Sequence, residues 1–316
     1  MQTRVLGNSD LNITPLGLGT WAIGGEQSRY NWGPQDDMES MSAIHCALDL
    51  GVNWIDTAPI YGNGRSEEVV GLALAGVSRK PYLFTKCSLV WNNDGTVSNI
   101  LKARSLKREC ENSLRRLRAD KIDLYQIHWP NPDADIEEGW KALAELQGEG
   151  KVRWIGVSNF DVGQLKRAQA IAPVTSLQPP YSAVRRDSEK ELLPFCGREN
   201  IGVIVYSPMQ AGLLSGRMTR ERIAEFSETD WRRAAKEFKE PNLTRNLEIQ
   251  DKFALVGAQH GHTAAVAALA WVLRHKEVTG AIVGARRPSQ VEGFIAAMDF
   301  RLSEEEEKDL DAFLSA

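Results

Sequence analysis

Asp123-Leu124-Tyr125-Gln126-Ile127-His128, a helical stretch over 136–149, and then Val152-Arg153-Trp154-Ile155-Gly156-Val157-Ser158-Asn159 decide the fold. A β-branched and aromatic run ends abruptly on a polar residue. Spacing near 3.6 follows, and then a second apolar run ends the same way. Two strands joined through a helix must lie parallel, because the helix returns the chain to the edge from which it left.

Working outward, the same unit recurs along the 316 residues. Strands are predicted at Leu16–Leu18, Val52–Ile55, Tyr82–Thr85, Asp123–Ile127, Val152–Val157, Val174–Leu177, Gly202–Val205 and Gly280–Val283. Helices are predicted near 37–50, 66–76, 99–118, 136–149, 161–171, 188–199, 263–275 and 288–297. Eight units give an α/β fold, a (β/α)8 TIM barrel, as one domain over 1–316. A hairpin of Gln2–Val5 and Asn12–Pro15 precedes the first strand and suits a plug for the barrel's bottom. Ser303 and Glu306 form a capping box for a C-terminal helix over Glu304–Phe313.

Composition narrows the function. With 42 acidic against 38 basic residues, the net charge is −4. This offers no electrostatic footprint for nucleic acid or an anionic membrane. The longest apolar run, Ala264 to Leu273, is about half of the ~20 residues a bilayer span needs. The N-terminus has no apolar leader. Cys46, Cys87, Cys110 and Cys196 lack metal or redox spacing, which suits a reducing compartment. The expectation is a cytoplasmic protein, a monomer or weak homo-oligomer, acting on a small molecule. His260-Gly261-His262 lacks a nearby third ligand and reads as a turn, so no metal is expected.

A barrel of this kind carries chemistry at the C-terminal ends of its strands. There the sequence has Asp56, Lys86, His128, Ser158-Asn159, Gln178, Tyr206 and Gly284. The long loops 19–36, 87–98 and 207–243 leave from this end, and Trp21, Trp32, Trp91 and Trp129 lie on loops there. Singly, each residue has an ordinary role: a turn at Asp56, a loop aromatic at Tyr61, a snorkelling Lys86, a boundary histidine. Together, Asp56, Tyr61, Lys86 and His128 make a proton-transfer set. An ammonium beside a phenol lowers its pKa from about 10, so Tyr61 would serve as general acid while His128 polarises a carbonyl. Without a metal cluster or a good covalent nucleophile, redox chemistry must come from a bound cofactor.

Asp56-Thr57-Ala58-Pro59-Ile60-Tyr61-Gly62 with Ser66-Glu67-Glu68, Phe84-Thr85-Lys86, Gln126-Ile127-His128-Trp129-Pro130, Ile155-Gly156-Val157-Ser158-Asn159-Phe160 and Tyr206-Ser207-Pro208 with Gly212-Leu213-Leu214-Ser215-Gly216 resemble the aldo-keto reductase family. The resemblance runs essentially end to end and is closest to bacterial NADPH-dependent small-aldehyde reductases. It implies reversible reduction of aldehydes or ketones with NADPH (NADP+), using Asp56, Tyr61, Lys86 and His128. It implies that Ser158, Asn159 and Gln178 bind the nicotinamide carboxamide, that Tyr206 stacks on the ring, and that Gly19, Thr20, Trp21 and Asp56 lie beside it. Ser207–Arg217, including Pro208, Gln210, Gly212, Leu213, Ser215 and Gly216, resembles the pyrophosphate loop.

Gly284, Arg286 and Gln290 are implied at the adenosine end. There Arg286-Arg287 before a helix start suits a 2′-phosphate, with a solvated arginine pair as the alternative. Trp21, Tyr61, Trp91, His128 and Trp129 are expected to wall the substrate pocket. Gly293-Phe294 departs from the acidic-Asn pair of many members, and Ala211 from a frequent basic residue. The paper match of Gly17-Leu18-Gly19-Thr20-Trp21-Ala22 to a Rossmann fingerprint fails, because no helix follows at once. Two rival functions remain: an NADP(H)-binding regulatory or redox-sensing protein with little turnover, and a cofactor-independent isomerase or lyase on the same fold.

Overall fold

The computed structural model describes residues 2–26, 32–228 and 230–315; part of the 19–36 loop therefore lies outside the described residues. Eight strands, β1 (Leu16–Gly19), β2 (Trp54–Asp56), β3 (Tyr82–Cys87), β4 (Ile122–Ile127), β5 (Val152–Ser158), β6 (Ser176–Gln178), β7 (Gly202–Val205) and β8 (Val278–Gly284), close into a barrel in sequential order. All pairs are parallel, and β8 closes on β1 with Gly284 opposite Gly19. This is a (β/α)8 TIM barrel. The predicted strands all form, with ends displaced by up to two residues; β2 and β6 begin two residues later than the apolar runs that announced them.

Helices α1 (Asp37–Asp49), α2 (Arg65–Ala73), α3 (Ala103–Leu117), α4 (Ile136–Gly148), α5 (Val162–Gln169) and α6 (Leu192–Arg198) follow the first six strands. Local chemistry starts them. Asp36 accepts from the Glu39 amide ahead of α1, and Asp161 with Gln164 forms a full capping box ahead of α5. Both satisfy amides that a helix start leaves without partners. Their inner faces bury Leu, Ile and Val against the outside of the strands.

The segment between β7 and β8 departs from expectation. The 207–243 loop contains a short helical turn at Arg220–Ala224, and a long helix, α7 (Asn242–Gln259), precedes α8 (Ala264–Val272). The alternation of one helix per strand predicts only the second. Likewise, the 87–98 loop folds into a small hairpin, Leu89–Trp91 with Val97–Asn99, so α3 starts at Ala103 rather than 99. The chain ends in α9 (Pro288–Phe294) and α10 (Glu304–Ser315). At α10, Ser303 and Glu306 make the predicted reciprocal bonds.

Inside the barrel, stepping two residues along a strand keeps a side chain on the same face. Trp54, Phe84, Leu124, Ile204 and Ile282 form an apolar layer, closed from below by Leu6, Leu11 and Ile13. These last come from the hairpin Arg4–Val5 with Asn12–Ile13, which plugs the bottom as expected. Two residues further up, β2 and β3 present Asp56 and Lys86. Among the described residues, no helix is long and apolar enough to cross a membrane.

Candidate active site

Lys86 is fully buried at the top of β3, and its Nζ makes three contacts. It donates to Asp56 Oδ1 at 2.6 Å, to the Thr57 carbonyl at 2.9 Å and to the Tyr61 hydroxyl at 3.3 Å. The other carboxylate oxygen of Asp56 accepts from Gln178 Nε2 at 3.0 Å and from Gln126 Nε2 at 3.4 Å. His128 stands edge-on to Tyr61, with ring centroids 5.9 Å apart. The four residues predicted to act together are therefore in one constellation, fed by three neighbouring strands.

Burial sets the protonation states. For Lys86, desolvation is the largest influence and works against the charge, but Asp56 and Tyr61 together outweigh it and hold the pKa above its ordinary value. For His128, burial first and then the Lys86 charge push the pKa well below the usual range, so the imidazole is neutral. Tyr61 corrects the sequence expectation. Burial raises its pKa and Asp56 adds to the rise; the lowering by Lys86 is real but does not prevail. Desolvation disfavours a phenolate, so the resting group is a phenol.

The loop bearing Tyr61 is held from two sides. Gly62 has φ +57°, and a Cβ there would lie 1.8 Å from the Gly24 carbonyl oxygen. Only glycine permits this approach of the first loop to the tyrosine turn. Buried Ser66 donates to the carbonyl and hydroxyl oxygens of Thr20 at 2.8 and 2.7 Å. The Thr20 amide in turn donates to the Asp56 carbonyl at 3.0 Å.

Around this centre, β5 and β6 bring Ser158, Asn159 and Gln178 together. Ser158 Oγ donates to the Gln178 carbonyl, Asn159 Nδ2 to the His128 carbonyl, and Tyr206 OH to Asn159 Oδ1. Gly19 and Gly284, paired across β1 and β8, leave a slot without side chains at the mouth; a Cβ on Gly284 would meet only the Gly19 carbonyl oxygen at 3.8 Å. Ser207, Gln210, Ala211, Gly212 and Gly216 all have positive φ, coiling the segment after Tyr206 into successive turns. Leu213 is buried in a small core beneath them, Pro208 is buried as well, and Arg217 is exposed. Ser215 Oγ donates to the Gly212 carbonyl at 2.6 Å. The Gly216 amide donates to Gln250 Oε1 of α7 at 3.0 Å, so it faces the protein.

The arginine pair divides. Arg286 Nε donates to Gln35 Oε1 at 2.5 Å, its Nη1 to the Trp32 carbonyl at 2.8 Å, and its Nη2 to the Pro34 carbonyl. Its own amide donates to Gln290 Oε1 at 2.8 Å. Arg287 is exposed at the N-cap of α9, ahead of Pro288.

Of the predicted pocket walls, Trp21 stacks on Tyr61 at 6.3 Å and on Trp231 at 5.3 Å, with Trp32 edge-on to Trp21 and Trp231. Trp91 Nε1 donates to the Ile60 carbonyl at 3.2 Å, tying the small hairpin to the tyrosine turn, and Trp129 is exposed. The sequence reading passed over Gln126, Trp231 and Gln250. Gln126 had a signal, being two residues before His128 on one strand face. His260 and His262, set aside as a turn, pack on Phe300, and His260 lies 2.5 Å from Glu306.

The model of the aldo/keto reductase family matches residues 15–315. The chain belongs to this family. Among its curated relatives are aldo-keto reductase YhdN of Bacillus subtilis (37% identical, covering 99% of this chain and 94% of that protein) and the NADH-specific methylglyoxal reductase of Escherichia coli (34%, 96% and 95%). Solved structures include the glycerol dehydrogenase AKR11B4 of Gluconobacter oxydans, with TM-score 0.90, 38% identity and coverage of 99% and 94%. An aldo-keto reductase of Klebsiella pneumoniae in complex with NADPH superposes with TM-score 0.77 at 29% identity, covering 99% and 95%. The chain is an oxidoreductase acting on carbonyl groups, in a family that uses nicotinamide cofactors. Its residues fit such a cofactor: a slot without side chains between β1 and β8, an amide-rich turn after Tyr206, and cationic side chains near the start of α9.

Proposed function

We propose that this protein reduces small aldehydes or ketones to alcohols with NADPH, reversibly, with Tyr61 as the general acid. The observation that carries the reading is the fully buried Lys86 Nζ bridging Asp56 and the Tyr61 hydroxyl. When bound, the cofactor supplies the hydride. As negative charge grows on the carbonyl oxygen, Tyr61 gives up its proton to that oxygen, and the adjacent ammonium stabilises the phenolate left behind. Asp56 keeps Lys86 charged, while Gln178 and Gln126 hold the second carboxylate oxygen and so fix the orientation of Asp56. Neutral His128 donates a hydrogen bond to the same carbonyl oxygen. Trp21 and Trp91, both in contact with the tyrosine turn, exclude water from one side.

Ser158, Asn159 and Gln178 are the amide and hydroxyl groups within reach of a nicotinamide carboxamide, and Tyr206 offers a flat face beside them. A 2′-phosphate finds its cation in exposed Arg287, while Arg286 holds the first loop beside it; this favours NADPH, although a relative is named as NADH-specific. Turnover of an aldehyde, ketone and sugar panel with each cofactor tests the whole reading. Tyr61→Phe is the decisive variant: kcat falls by about 10²–10⁴-fold, while the Kd for NADPH, read by tryptophan fluorescence, stays within about twofold. Equal loss of binding makes Tyr61 a structural residue and defeats its role as acid.

A further inference from the structure

Glu109 sits on α3, outside the barrel wall, yet its buried carboxyl reaches the residue just beyond the lysine strand. Its Oε2 accepts from the Ser88 amide at 2.9 Å, and its Oε1 accepts from Ser105 Oγ at 3.0 Å. Ser88 is fully buried, two residues beyond Lys86, with φ +82°. A non-glycine residue holds that conformation only where its surroundings impose it.

Three further contacts converge on the same turn. The Ser88 carbonyl accepts from the Ile100 amide at 2.9 Å. Ser88 Oγ lies 3.4 Å from both the amide and the carbonyl of Trp129. The Cys87 carbonyl accepts from the His128 amide at 3.0 Å. Lys86 and His128 are thus locked to one another through a strained turn, and Glu109 binds the amide at its centre.

We propose that Glu109 is a positioning residue for the reaction, holding the Ser88 turn so that Lys86 and His128 keep their relative placement. This rests on the reductase reading above, in which those two residues act on the carbonyl. Without the carboxyl, the Ser88 amide is buried with no acceptor and the turn loses its reason to stay left-handed. Displacement there passes through Cys87 to Lys86, and through the hydrogen bond on the Cys87 carbonyl to His128. Proton transfer is sensitive to small misplacements of this kind, whereas cofactor binding, on the opposite strands, is not touched.

The test compares the full-length wild type with Glu109→Gln, Glu109→Leu and Ser105→Ala. Gln keeps an acceptor for Ser88 and a polar group for Ser105, whereas Leu fills the space and offers neither. The expected result for Glu109→Leu is a kcat lowered at least tenfold per NADPH-binding site, with the NADPH Kd within twofold. Glu109→Gln restores kcat to within threefold of wild type. Ser105→Ala, gentler to the fold, lowers kcat in the same direction as Leu. Hydrogen–deuterium exchange quickens at 86–88 and 128–129 in the Leu variant, with β6 and β7 unchanged.

Unchanged kcat in both the Leu and Ser105→Ala variants overturns the proposal, as does a Gln variant as impaired as Leu. The exchange readout needs no turnover. A wild type that reduces no carbonyl defeats the reductase reading alone, and unchanged exchange at 86–88 defeats this inference whatever the activity.

Discussion

Tyr61 is half-buried and Glu109 buried, and desolvation raises the pKa of both, with different consequences. Tyr61 lies above its ordinary pKa because desolvation outweighs the help of Lys86. The protonated form is the one that reduces, so carbonyl reduction should hold level through neutral pH and decline only above about 10. Alcohol oxidation needs the deprotonated form and should climb with pH over the same range. Paired kcat profiles in the two directions check this; a reduction rate that falls between pH 7 and 9 assigns the acid elsewhere. Glu109 is pushed from 4.5 up to about 7, chiefly by burial. A raised pKa contributes stability that is complete below the unfolded value and lost as pH rises through the folded one. The window is therefore pH 4.5 to 7, and the size roughly 3 kcal/mol. Urea denaturation at pH 5 and pH 8 should show this slope in the wild type and its loss in Glu109→Gln.

At the scale of elements, Arg286 joins the first loop to the end of β8. Three of its donors hold Gln35 and the Trp32 and Pro34 carbonyls, and Arg232 lies over the Trp32 ring at 4.8 Å. Arg286→Ala should therefore loosen the loop and weaken NADH and NADPH alike. Arg287→Ala, at an exposed helix cap, should weaken NADPH alone, by about tenfold or more. Fluorescence titration of both variants with both cofactors separates them. A selective loss for NADPH in Arg286→Ala returns the phosphate contact to that residue.

Helix α7 shows why part of this architecture was not legible. Leu243, Asn246, Ile249, Gln250, Phe253, Val256 and Gly257 are its buried residues, a readable helical stripe. Yet α7 follows a loop rather than a strand, and a reading built on strand–helix alternation has no place for it. Its Gln250 then accepts from the Gly216 and Met218 amides at 3.0 Å each, anchoring the very turn that was assigned to phosphate.

Across the whole molecule, stability and chemistry occupy opposite ends of one barrel. Trp54 is fully buried beneath the site, 5.2 Å from the Phe84 ring, and its Nε1 donates to the Thr14 carbonyl at 2.9 Å. Trp54→Ala should cost about 3–5 kcal/mol in unfolding free energy while the folded fraction keeps its NADPH affinity. Denaturation midpoints and a binding titration on the same preparation check both halves. A variant of normal stability removes the bottom layer from the account.

The sequence by itself determined the eight barrel strands, the plugging hairpin, and Asp56, Lys86 and His128 at successive strand ends with Tyr61 on the loop after the first. Each follows from local periodicity, or from a polar residue abutting an apolar run. Tertiary structure alone decided what those residues are to one another. Whether Tyr61 rests as a phenol depends on how much water the fold removes against how near Lys86 comes, and neither quantity is local. The same holds for Gln126 and Gln178 converging on Asp56, for Arg286 turning to the first loop, and for Glu109 reaching the lysine strand from outside the wall. These contacts join positions 21 to 254 residues apart. Their energies arise only once the barrel has closed and the dielectric around them has fallen.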